Sequence, residues 1–180
     1  MASCLVGSEM CIRDRTSITC STVNSYNGLV PKVGGFEGGT VTWAPTNITY
    51  GHNNRSAQFR LPQNRYCIEN RAADMTMNVY LAFAMTLSAA VEGIKGKIHP
   101  GKPTDQDLYE MSENEFKKLG IKRLPRNLLM AIDALKKDKL SDDVLGPVMK
   151  KSFLAYKNDE WERYHQSVTD WEVKEYLRLY

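Results

Sequence analysis

The stretch Asn54-Arg55-Ser56-Ala57-Gln58-Phe59-Arg60-Leu61-Pro62, followed after four residues by Cys67-Ile68-Glu69-Asn70-Arg71, decides the fold. Ser56–Leu61 and Cys67–Arg71 are short and β-rich or alternating, and they are bounded by Asn and Pro, which is how strands read. Ile48–Tyr50 reads as a third strand before them. Pro62 ends the second, because proline has no N–H to give a ladder. Between Lys32 and Lys95 the chain has no lysine; its basic residues there are Arg55, Arg60, Arg65 and Arg71. Four arginines within 17 positions, with Glu69 as the acid among them, make a concentrated oxyanion-binding signal. A planar guanidinium grips phosphate or carboxylate with two parallel hydrogen bonds, whereas an ammonium is a point charge. The plainer alternative is a row of strand arginines with solvated heads.

Strand parity refines this reading. If Cys67–Arg71 is extended, Cys67, Glu69 and Arg71 share one face, which sets Glu69 beside Arg71. Either the two form an ion pair, or the carboxylate holds Mg²⁺ next to an arginine that holds phosphate. Arg55 and Arg60 differ by an odd number, so both can serve one site only if Arg55 lies in the loop that opens the strand.

Downstream, residues 75–91 are free of charge. A buried helix from Thr76 to Lys95 fits them better than a membrane span, with Asp74 or Thr76 as its N-cap and close neighbours on nearly all sides. Beyond Gly101 the chain turns helical and polar. Ser112-x-x-Glu115 and Thr169-x-x-Glu172 are capping-box patterns. Leu124, Leu128, Leu129, Ile132 and Leu135 form a helical stripe; Val144, Val148 and Phe153 suggest another helix, and Trp161, Tyr164 and Val168 a third. The expected class is α+β: a small, curved, mostly antiparallel sheet carrying the arginines, with incomplete, exposed edges, backed by one helix and followed by several more.

Upstream, Gly28, Pro31, Gly34, Gly35, Gly38 and Gly39 punctuate a loop that is either a connector or a substrate lid. Residues 1–15, MASCLVGSEMCIRDR, fit neither a strand nor a helix pattern. They resemble a translated sequencing adapter, so the domain is taken as residues 16–180. The bulk chemistry sets outer bounds. The chain has 180 residues, 42% of them hydrophobic, which suffices for one core. A net charge of +3 and few aromatics among the arginines argue against a nucleic-acid partner. Cys4, Cys11, Cys20 and Cys67 form no CxxC pair, and His52, His99 and His165 are scattered. Reduced thiols and a cytoplasmic setting are expected, with no zinc site, signal peptide or membrane association.

With these residues in view, the chain resembles the C-terminal catalytic region of the glutamine synthetase family. The resemblance rests on Asn54-Arg55-Ser56-Ala57-x-x-Arg60-Leu61-Pro62, Glu69-x-Arg71-x-x-Asp74, and Asn78-x-Tyr80-Leu81-x-x-Ala84. Asn24-Ser25-Tyr26, Gly93-Ile94-Lys95-x-Lys97-Ile98-His99-Pro100-Gly101-x-Pro103 and Asp107-Leu108-Tyr109 add to it. It covers about residues 22–111. It implies an ATP-dependent carboxylate–amine ligase that forms an acyl phosphate, which ammonia then displaces. It also implies Mg²⁺ or Mn²⁺ and a homo-oligomeric ring whose sites lie between subunits. By position Arg55 is expected at the nucleotide and the transferring phosphate, Arg60 at the nucleotide phosphates, Glu69 on the metal, and Arg71 on substrate carboxylate and phosphoryl oxygens. Glu37, in Gly35-Phe36-Glu37-Gly38, resembles the flap glutamate that takes a proton from ammonium. Tyr109 aligns with the tyrosine that some bacterial members adenylylate.

Two departures bear on substrate. Gly28 stands where the family places an arginine for the amino-acid carboxylate, and Cys67 where it places another arginine. A site lacking the first fork is expected to bind glutamate weakly or to take another acid; a γ-glutamyl ligase for a larger amine is the companion alternative. The family's N-terminal domain and second metal site lie upstream of these motifs, so an isolated chain of this extent is expected to be inactive. A non-catalytic binding or assembly relative is the remaining class.

Overall fold

The computed structural model describes residues 15–30, 43–177 and 179. Glu37 and the glycine-rich loop around it lie outside the described residues, as does nearly all of the 1–15 segment. After a helical turn at 15–19, the chain forms a 3₁₀ helix, Val23–Leu29. Four strands follow in chain order: β1 (Asn47–His52), β2 (Ala57–Leu61), β3 (Glu69–Asn70) and β4 (Lys122–Arg123). The helices are α1 (Val79–Lys95), α2 (Glu113–Leu119), α3 (Leu128–Lys137), α4 (Lys139–His165) and α5 (Asp170–Tyr176).

The sheet order is β3-β2-β1-β4. The α+β class holds, and the sheet is small and mixed. Its two outer pairings are antiparallel, but the longest, β1 with β2, is parallel. Parallel neighbours ordinarily need a crossover of a dozen or more residues. Here residues 53–56 suffice. Five extended peptide steps reach about 17 Å, the length of a five-residue strand, so the connector can run straight back over β1. Gly51 gives it room: a Cβ there would meet Asn54 Cβ at 2.6 Å and the Thr104 carbonyl at 2.3 Å. Asn53 makes the reversal at φ 59°, a left-handed conformation that asparagine tolerates better than most residues. Both edge strands are two residues long and pair only two residues each of β1 and β2, so the sheet is open, as expected.

The α1 boundary differs from the expectation. Asn78 is the N-cap, its side chain accepting from the Tyr80 and Leu81 N–H groups, while Asp74 closes its own turn on Thr76. Close packing around all of α1 is also not what the described residues display. Ala82, Met85, Ala89 and Gly93 are buried, with Met85 against Ile18 and Leu135, while Tyr80, Phe83, Leu87, Val91 and Ile94 line an exposed face.

Leu128, Ile132 and Leu135 are fully buried on α3, as their spacing implies. Both capping boxes form, opening α2 and α5. The two helices expected over Val144–Phe153 and Trp161–Val168 divide differently. α4 runs through Phe153 and Trp161, and its interruption lies earlier, at Gly146 (φ 71°, ψ 164°), where Pro147 also lacks an N–H. No described helix is long and apolar enough to cross a membrane.

Candidate functional site

β2 and β3 bring the arginines and Glu69 together. Arg60 and Glu69 are direct cross-strand partners, and Arg60 Nη1 donates to Glu69 Oε2 at 3.0 Å. Arg65, in the turn between the strands, donates to Oε1 of the same carboxylate. The expectation that Glu69 lies chiefly beside Arg71 is therefore corrected. The extended segment is only Glu69–Asn70, and antiparallel register with β2 outweighs parity within one strand. Two guanidinium donors, Arg60 the stronger, hold the Glu69 pKa below its ordinary value of 4.5.

Arg60 is fixed from a second side by Asn53, whose side-chain oxygen accepts from Nη2. Arg71 follows β3. Its backbone N–H donates to the Gln58 carbonyl at 2.8 Å, and Nη2 donates to the Trp43 carbonyl at 3.1 Å. Burial lowers the Arg71 pKa, and the charges of Arg55 and Arg60 act in the same direction against the opposing pull of Tyr109 and Glu69. Arg55 lies in the connector that opens β2, the place both arginines require for one site, and it is exposed with no ion pair among the described residues. Two buried donors, Arg60 Nε and Arg71 Nη1, have no hydrogen-bond partner among the described residues. Buried donors left without a partner are costly.

The sequence reading missed three supports. Asn53 holds Arg60, and the Asn-Asn pair before Arg55 was the available signal. Asn54 ties the connector down, donating to the Thr104 and Gln106 carbonyls at 2.7 and 2.9 Å and accepting from Ser56 N–H and Oγ. Tyr109 packs its ring 6.0 Å from that of Trp43 and donates its hydroxyl to the Ala44 carbonyl. The residue that the resemblance marks for adenylylation thus has its hydroxyl engaged within the fold.

Gly28 lies on the 3₁₀ helix, and a Cβ added there meets nothing within 4 Å. Cys67 is half-buried with a free thiol. The residues present do not make a divalent-cation site by themselves. Among the described residues no three His, Cys, Asp or Glu side chains converge, and both Glu69 oxygens are taken by guanidiniums. Mg²⁺ wants six oxygens in near-octahedral array, of which Glu69 could give one.

Known proteins share this arrangement of chain. The model of the glutamine synthetase catalytic domain matches residues 1–176. A glutamate–methylamine ligase of Methyloversatilis universalis is 43% identical over 164 residues, which cover 91% of this chain and 36% of that protein. A glutamine synthetase of Methanocaldococcus jannaschii is 42% identical over 164 residues, covering 89% and 34%. A solved structure described as "GmaS/ADP complex-Conformation 1" superposes with a TM-score of 0.81 at 32% identity, covering 98% of this chain and 39% of the other. The chain spans about a third of the length of the curated relatives it matches. An arginine-lined sheet carrying these motifs, matched along nearly its whole length, places the chain in the glutamine synthetase catalytic-domain family.

Proposed function

We propose that this chain supplies the arginine-bearing part of an active site that joins glutamate, or a related acid, to an amine at the expense of ATP. The observation that carries the reading is the pair of buried donors on Arg60 and Arg71 that have no partner among the described residues, with Arg55 near enough for its charge to act on Arg71, in a member of this family. Transfer of a γ-phosphoryl group to a carboxylate asks for cations that neutralise charge and hold the reacting oxygens in line. Arg55 and Arg60 would take the nucleotide and transferring phosphates. Arg71 would take substrate carboxylate and phosphoryl oxygens. Glu69 and Asn53 hold Arg60 in place before any ligand arrives. Glu37 is assigned to the proton from ammonium by motif alone. A homo-oligomeric ring would supply the remaining walls from neighbouring subunits, and a cytoplasmic setting suits this chemistry.

The choice of amine and acid follows the departures. Gly28 leaves open space where a carboxylate fork is expected, and one of the similar relatives acts on glutamate and methylamine. These two facts favour a γ-glutamyl ligase for an amine larger than ammonia over glutamine formation.

The test is a chimera in which residues 16–177 replace the matching segment of the Methyloversatilis universalis ligase. ADP release is measured with glutamate and with ammonia, methylamine and ethylamine. The expected result is release that requires both acid and amine and is lost in Arg71→Ala. A chimera that assembles as its parent does but releases no ADP with any pair would leave the non-catalytic alternative.

A further inference from the structure

Away from the arginines, an open cavity of about 790 Å³ lies between β1, the 99–106 segment and the α2–β4 turn. Lys102, from the 99–106 segment, and Lys118 and Lys122, from the two ends of the α2–β4 turn, line it, and none has an ion pair among the described residues. The acid on its wall, Asp105, is already committed: it accepts from the His52 N–H at 2.6 Å, with His52 Nδ1 at 3.3 Å. His99 Nδ1 accepts from the Gly101 N–H, which leaves its Nε2 as the other available ring nitrogen. The rest of the wall includes Leu119 and Ile121. A concave, partly apolar surface with three ammonium groups against the one carboxylate of Asp105 keeps a positive balance and suits a small organic anion with two or more charges.

The cavity wall also reaches the arginine connector. Thr104 pairs with β1 through its N–H to the Tyr50 carbonyl (2.8 Å) and its hydroxyl to Thr49 (3.0 Å). The carbonyls of Thr104 and Gln106 accept from Asn54, one residue before Arg55. Gly51 has no space to let this contact slide. Any shift of residues 102–106 is therefore passed to the connector through short, buried hydrogen bonds.

We propose that this cavity is a second anion site, for a small organic polyanion of phosphate or carboxylate chemistry, and that its occupancy is felt at Arg55 through residues 104–106. The proposal concerns a different cavity from the ligase reading and does not depend on it.

The test is an amide NMR titration of the 180-residue chain with sodium pyrophosphate and, separately, citrate, at fixed ionic strength. Saturating shifts are expected at Gly101 and Lys118–Lys122, and at Asn54–Ser56 in the same titration. A Lys102→Glu/Lys118→Glu/Lys122→Glu variant should weaken binding at least about tenfold, and Lys118→Gln alone about threefold. A Lys137→Glu/Lys139→Glu/Lys151→Glu variant carries the same charge change elsewhere and should stay within twofold, roughly the scale of remote screened charge. Tighter pyrophosphate identifies a phosphorylated ligand, and tighter citrate a carboxylate one. Shifts confined to residues 60–71, equal loss in the two triple variants, or no saturation with either anion would overturn the site. Saturation at the cavity with no response at Asn54–Ser56 would overturn the coupling.

Discussion

Replacing Glu69 by glutamine isolates what the carboxylate contributes before any ligand binds. Its Oε2 accepts from Arg60 at 3.0 Å between side chains that are 24% and 20% exposed. A hydrogen bond between charged groups contributes about 1.5–3 kcal/mol, and partial exposure puts this one in the lower half of that range. The Arg65 partner is 61% exposed and adds at most a few tenths of a kcal/mol. Glutamine keeps one acceptor but turns an NH₂ toward the other guanidinium, so the expected loss is about 2 kcal/mol, or about 4–8 °C in Tm for a chain of this size. The β3 edge is only two residues long, so the loss should appear first as faster amide exchange at Asn70 and Arg71.

The pH dependence has a definite sign. The Glu69 pKa is lowered on folding, so its contribution is complete above the unfolded value near 4.5 and fades as pH falls through the folded value. Urea titrations of both proteins at pH 7 and near pH 3 should find the gap largest at pH 7 and nearly closed in acid, because the other carboxylates are common to both. A gap under about 0.5 kcal/mol at pH 7 would refute the reasoning, and so would one that persists unchanged in acid.

Other expectations follow from the same structure. Asp138 is buried, receives Arg15 through both carboxylate oxygens at 2.9 and 3.0 Å, and caps α4 by accepting from Ser141 N–H. Asp138→Ala should cost about 3–5 kcal/mol in urea unfolding, since it removes the bidentate partner of a buried guanidinium and a helix cap, while Glu92 remains beside Arg15. A loss near 1 kcal/mol would mean the cap alone was in place. Burial pushes the Cys20 thiol up to about 12, so iodoacetamide at pH 8 should label Cys67 and spare Cys20 in the folded chain, read by peptide mass spectrometry. Equal labelling of the two would contradict the placement of Cys20 in the core. A Cβ at Gly28 meets no described atom within 4 Å, so Gly28→Arg should leave Tm within about 2 °C. In the chimera it should raise affinity for glutamate, and an unchanged KM for the acid would remove Gly28 from the specificity argument.

The Arg15–Asp138 pair also bears on the proposed domain start. Residues 1–15 read as foreign because they resemble a translated sequencing adapter and fit neither a strand nor a helix pattern. Arg15 is nevertheless 2% exposed and paired across 123 residues of chain. No local reading of residues 1–20 contains Asp138.

Local chemistry made much of this protein legible in one dimension. Capping boxes at Ser112 and Thr169 act within three residues, so spacing alone announces them. The stripe Leu128, Ile132, Leu135 follows the helical repeat, and strand limits at Pro62 follow from a missing N–H. The arginine set could be recognised because four forks without a lysine are chemically specific wherever they fold. Tertiary structure decided what these groups touch. Glu69 faces Arg60 and Arg65 rather than chiefly Arg71, because register between strands is fixed by long-range pairing. β1 and β2 run parallel because Gly51 lets four residues cross a strand's face. Asn78 rather than Asp74 caps α1, since Asp74 accepts from Thr76 within its own turn. The exposed side of α1, the three-lysine cavity and the burial of Arg15 arise from pieces of chain 50 or more residues apart or from neighbours that sequence periodicity cannot name. Side-chain type and spacing carry local energetics, whereas partnership depends on where distant segments meet.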